Sequence, residues 1–165
     1  MGSRKPKLAL SVQEAVKAHP LPARAQWRKW AQAALENDAQ VTLRIVDAAE
    51  GRRLNAQFRG KDYATNVLTF AYGKPAVAGA ALCGDIVLCA PVVEVEAAEQ
   101  SKPLEAHYAH LVVHAMLHLQ GYDHETDEEA HAMETRESAL VMQLGYPDPY
   151  TPVAAMPDAT APKAA

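Results

Sequence analysis

Three histidines in this 165-residue chain have a spacing that can grip a metal ion. His114 and His118 stand four apart in the run Val113-His-Ala-Met-Leu-His-Leu-Gln-Gly-Tyr-Asp-His124. On a helix that spacing puts both rings on one face, one turn apart. Gly121 follows three residues later and ends a helix readily, because it takes the left-handed conformation without steric cost. The chain can then double back and deliver His124 to the same ion. Three neutral imidazoles leave a dication with its charge and an open coordination position, as catalytic sites do and closed structural sites do not. Water bound there is acidified toward neutral pH. The bland alternative is a chance cluster of ordinary core and surface histidines.

The H-x-x-x-H-x-x-G-x-x-H spacing is similar to that of metzincin metalloproteases, in which a glutamate after the first histidine serves as general base. Here that position is Ala115. A metzincin-like zinc peptidase would therefore keep its metal and lose its proton acceptor.

The helix that must carry the first two histidines opens at Pro103 and runs from Leu104 to Gln120. His107, His110, His114 and His118 fall within about 80° of one another on it. His110 is one turn too far back to share an ion with His124, so His107 and His110 read as surface groups or as supports for the ligands. Thr126 to Glu129 forms a capping box, opening a helix that buries Met133, Leu140, Val141 and Leu144 and stops at Gly145. Glu137 lies on that apolar stripe. The expectation is a carboxylate at the stripe's edge reaching water, the alternative a buried acid near the metal.

Upstream, alternating apolar residues predict strands over 7–13, 41–45, 67–70 and 84–89, the last apolar on both faces and so interior. Helical spacing of Trp27, Trp30, Ala31 and Ala34 predicts a helix over 23–36, with the tryptophans as core anchors rather than base-stacking platforms. A short polar helix after Asp47 ends near Phe58, and another runs from Pro91 to about Gln100. Arg52, Arg53, Arg59 and Lys61 gather charge at the connector that follows Phe58. Such a group is usually a solvated face, but connectors between sheet elements carry function, which singles out Arg59. Asp85 could accept a histidine N–H or simply serve a turn. The segment 71–80, with two glycines and a proline, reads as a flexible loop that could lie over a cleft.

These elements predict a single α+β domain over 1–150, with its metal site at a helix C-terminal end and the following loop. The Ala- and Pro-rich segment 151–165 has no period and reads as a disordered tail. Sixteen basic against twenty acidic residues give a net charge of −4, which excludes a bulk basic field for nucleic acid. Any polyanion must meet a local patch, and the acidic start of the last helix turns it toward the connector side. Cys83 and Cys89 lie on one strand at a separation of about 20 Å, too far for a disulfide. No segment reads as a secretory h-region or is long enough to span a membrane, so the expected compartment is the reducing cytoplasm.

Three separated segments carry a resemblance to a known family: Arg59-Gly-Lys-Asp with Thr65-Asn-Val-Leu-Thr-Phe70, Gly84-Asp-Ile-Val-Leu-Cys89, and Val113 to His124. With the ending Gly145-Tyr-Pro-Asp-Pro-Tyr150, they make the chain resemble the YbeY family of bacterial endoribonucleases. The chain departs from it at Ala115, where the family usually has glycine; no ligand is lost. The resemblance implies an α+β fold with a four-stranded mixed sheet and surrounding helices. It implies one zinc-like ion on His114, His118 and His124, and an essential arginine at Arg59. It further implies cleavage of single-stranded RNA, in maturation of the 3′ end of 16S ribosomal RNA and in late-stage quality control of 70S ribosomes. Expected partners are small-subunit ribosomal proteins and an assembly GTPase.

For phosphodiester cleavage, Arg59 would fork onto the phosphate while the metal acts as Lewis acid or activates hydroxide. The general base is open between metal hydroxide, His114 exchanging off the metal, and the RNA 2′-hydroxyl. The reading from a different class is a ribosome-assembly binding factor with a structural metal.

Overall fold

The computed structural model describes residues 5–72 and 81–150. The expected tail, and all but the first two residues of the expected 71–80 loop, lie outside them. Alternating burial along Ala39, Val41, Leu43 and Ile45 makes β2 (Ala39–Val46) the middle of a sheet that also holds β1 (Leu8–Glu14), β3 (Val67–Ala71) and β4 (Leu82–Cys89). The order is β1-β2-β4-β3. The first three run parallel, and β3 pairs antiparallel with the far side of β4, Val67 opposite Leu88 and Ala71 opposite Gly84. This is the expected four-stranded mixed sheet of an α+β domain, with β4 interior.

Strand pleating sends alternate residues to opposite faces, and each face has its own helices. On one face, Val41, Leu43, Ile45, Ile86 and Leu88 pack under α1 (Arg24–Ala33), α4 (Leu104–Leu119) and α5 (Asp127–Gln143). The tryptophans are core anchors here. Trp27 lies edge-on to Trp30 at 5.6 Å and to Tyr108 of α4 at 5.2 Å, and all three are buried. Burying each such ring contributes on the order of 2–3 kcal/mol. The other face holds Val46, Leu68, Val87 and Cys89 beneath α2 (Ala48–Arg59) and the start of α3 (Ala90–Glu99). Asp47 caps α2 by accepting from the Glu50 N–H at 2.8 Å, and Gly60 closes it in the left-handed conformation. Cys83 and Cys89 are free thiols.

Helix α1 stops at Ala33, three residues short of the expected end. The reason is the side chain of Gln120, the residue that caps the C-terminal end of α4. Gln120 donates to the Ala34 carbonyl at 2.8 Å and accepts from the Glu36 and Asn37 N–H groups at 2.6 and 3.1 Å, replacing the next helical bonds. The end of α4 is thereby fixed where His118 needs it.

Gly84 sets how closely α4 approaches the sheet. A Cβ there would come within 2.8 Å of Leu119 Cδ2 and 3.0 Å of the Phe70 carbonyl. Gly84→Ala should therefore push the residue beside His118 outward and destabilise the fold by about 1–3 kcal/mol. Urea denaturation measures this, and an unchanged midpoint would mean that Leu119 yields without cost.

The same contacts show where α2 ends. Phe58 lies edge-on to Phe70 at 5.2 Å, Phe70 pairs with Asp85, and the next residue, Gly84, faces Leu119 across the sheet. The C-terminal ends of α2 and α4 thus lie at one end of the sheet, on opposite faces.

Candidate metal centre

The rings of His114, His118 and His124 form a nearly equilateral triangle, with centroids 6.5, 6.2 and 6.1 Å apart. Helical spacing accounts for the first pair, whose rings are parallel. The third arrives through the turn at Gly121, where φ is +107° and the Tyr122 N–H bonds back to the Leu117 carbonyl at 3.1 Å. That turn also sets the Tyr122 carbonyl 3.1 Å from His118 Nδ1. A carbonyl only accepts, so Nδ1 carries the proton and Nε2 is left as a lone pair.

His114 is oriented in the same manner from another helix. Its Nδ1 lies 3.1 Å from Glu137 Oε1 on α5, an oxygen that also receives His110 Nε2 at 2.8 Å and the Tyr150 hydroxyl at 2.8 Å. Glu137 is 1% exposed, which corrects the expectation of a stripe-edge carboxylate reaching water. Burial pushes its pKa up, but hydrogen bonds from His110 and His114 outweigh this and hold it down at about 2. Ionised and acceptor-only, it makes His114 donate through Nδ1 and leaves Nε2 as the free donor atom. Parallel rings on His114 and His118, each with Nδ1 engaged, and a third ring 6.1–6.2 Å from both bring together three imidazoles, a donor set whose chemistry suits a divalent transition metal.

A second grouping overlaps this one. His118, Asp123 and His124 bring ligand atoms within 4.8 Å of one another, a group that could hold a metal, and His114 falls outside it. The Asp123 carboxylate is already engaged, accepting the His124 backbone N–H at 2.8 Å. His118 and His124 belong to both sets.

Arg59 ends α2 on the other face of the sheet, exposed, and its side chain has no hydrogen bond or ion pair among the described residues. Of its basic neighbours, Arg52 is held by Asp62 through two bonds of 2.7 and 2.9 Å. Asp85 belongs to the α2 face and accepts the Tyr72 hydroxyl, so the sheet separates it from the histidines. Neither His107 nor His110 is a surface group. His107 is buried and bonds Glu96 at 2.9 Å, which in turn accepts Asn66 at 3.0 Å and ties α4 to the start of β3. His110 reaches the centre only through Glu137, with the Tyr150 ring against it at 5.4 Å.

Two contributors had no assigned role in the sequence reading. Tyr150 lies in an aperiodic Pro-Asp-Pro-Tyr segment that offers no local signal. Asp123 had one, an acid beside the third histidine. Ala115 is fully buried, so the position of the metzincin glutamate faces the core.

A family model described as endoribonuclease YbeY matches residues 12–145. The endoribonuclease YbeY of Chromobacterium violaceum is 61% identical over 149 residues, covering 87% of this chain and 88% of that one. That of Aromatoleum aromaticum is 58% identical over 147 residues, covering 87% and 93%. That of Azoarcus sp. is 57% identical over 91% of this chain, which spans 62% of that longer protein. The solution structure of TM1509 from Thermotoga maritima superposes with a TM-score of 0.56 at 27% identity, covering 82% of this chain and 88% of that one.

Proposed function

We propose that this chain, which belongs to the YbeY family of endoribonucleases, is a zinc-dependent, single-strand-specific ribonuclease acting in 16S ribosomal RNA 3′-end maturation and late-stage 70S ribosome quality control. The observation that carries the reading is the triangle of His114, His118 and His124, with Nδ1 of the first two fixed by Glu137 and Tyr122. We take His114 rather than Asp123 as the third ligand, because its ring is oriented by a dedicated buried carboxylate. When bound, a divalent ion there supplies Lewis acidity toward a phosphate oxygen and lowers the pKa of water.

The chain's own residues supply the rest. Arg59 offers a guanidinium with no hydrogen bond or ion pair among the described residues, whose fork matches two phosphate oxygens and stabilises the charge that builds on them. Asp127, Glu128 and Glu129 at the start of α5 repel a phosphate backbone, so RNA enters from the α2 side and reaches the histidines around the β3 edge. Small-subunit ribosomal proteins and an assembly GTPase in the cytoplasm are the partners this role requires. No helix among the described residues is long and apolar enough to cross a membrane.

Cleavage of a labelled single-stranded RNA, with and without chelator, tests the activity, and a 2′,3′-cyclic phosphate end would identify the RNA hydroxyl as nucleophile. Arg59→Ala should lower turnover about 100-fold, the effect of losing one charge-stabilising donor, with metal content unchanged. Parallel loss of metal would show that Arg59 supports the site instead of touching substrate.

A further inference from the structure

Beside Arg59 the surface carries aromatic rings that the core does not use. Phe58 is 57% exposed and Tyr72 63% exposed. They belong to one strip. Phe58 packs edge-on against Phe70, and Tyr72, two residues along from Phe70, reaches the same face, where its hydroxyl meets Asp85 opposite Phe70. Exposed rings of this size suit either an apolar partner or a stack of bases, and the charge around them decides. Arg53, Arg59 and Lys61 are exposed, and among the described residues their side chains have no hydrogen bond or ion pair. The acids nearby are engaged: Asp62 holds Arg52, and Asp85 holds Tyr72. Exposed cations at the end of α2 and in its connector, without a partner among the described residues, beside open aromatic faces complement a single-stranded polyanion whose bases are unstacked.

We propose that Phe58 and Tyr72 are base-stacking platforms for single-stranded RNA, with the backbone following Lys61 and Arg59. This rests on the ribonuclease reading and extends it. The strip lies on the α2 face at the end of the sheet where α4 also ends, so a strand held there has its next phosphates at the β3 edge, within the approach to the histidines. A duplex hides its bases and gains nothing from the rings, so single-strand preference follows from the same residues.

The test is binding of a short fluorescent oligoadenylate carrying 2-aminopurine to the full chain in chelator, where cleavage is suppressed. Wild type should bind and quench the 2-aminopurine. Phe58→Ala and Tyr72→Ala should each weaken binding about tenfold and lose the quench. Phe58→Leu, which keeps an apolar contact with Phe70 but has no ring face, should bind as weakly as the alanine variant, and Phe58→Trp should restore both signals. Val95→Ala, an exposed apolar residue on α3, should bind as wild type does. Wild-type affinity and quench in every ring variant would overturn the stacking surface while leaving the ribonuclease reading standing. Failure of the wild type itself to bind single-stranded RNA, both in chelator and with zinc restored, would overturn both.

Discussion

His118→Ala is expected to abolish RNA cleavage and lower metal affinity by more than about 100-fold, since losing even a partner behind a ligand costs about 10–100-fold. His118 belongs to both overlapping donor sets, so the loss does not depend on which is used. Its ring is partly exposed, so the metal-free variant should unfold where the metal-free wild type does. The measurements are metal titration, cleavage of labelled single-stranded RNA by identically purified proteins, and thermal melts. Two companions separate the donor sets. His114→Ala should match His118→Ala, whereas Asp123→Ala should retain most metal; the reverse pattern would make Asp123 the third ligand. If a ligand variant that binds no metal still rescued ribosomal RNA processing in cells, binding without catalysis would suffice for the role.

Glu137→Ala should be the most destabilising single change at the site, costing about 3–5 kcal/mol. It strips the acceptor from His110, His114 and the Tyr150 hydroxyl at once, at a position that is 1% exposed. Glu137→Gln separates folding from metal binding. Its carbonyl can still accept, so most stability should remain, but the negative charge behind His114 is gone and metal affinity should fall about 10–100-fold. Urea denaturation of the metal-free proteins and metal titration provide the two readouts. Wild-type metal affinity in Glu137→Gln would reduce the carboxylate to a packing role and remove the main reason for preferring His114 to Asp123.

Which features were legible in advance follows from how far apart in the chain their causes lie. The pairing of His114 with His118, the stop at Gly121, the capping box at Thr126 and the interior character of β4 are each set within a few residues, by helical pitch, a left-handed turn or strand pleating. The family resemblance added the sheet type, which no local pattern specifies.

What the linear chain could not decide was depth and side. Glu137 sits on its helix's apolar stripe, and sequence shows the stripe without showing what closes over it. Burial came from His110 and Tyr150, brought in from α4 and from beyond α5. Asp85 read as a candidate partner for a histidine until strand pairing put it on the other face, because parity along β4 has meaning only once α4 has chosen a side. Arg59 and the histidines are more than fifty residues apart, and their common position at one end of the sheet arises from α2 and α4 packing on opposite faces of the same strands. By itself the sequence determined the three clustered histidines and the local spacing that brings them together, since these are consequences of backbone geometry over one or two turns. Only the tertiary structure determined which nitrogen of His114 is left without a hydrogen bond and which acid lies behind that ring, since these depend on a contact between α4 and α5 that no local periodicity encodes.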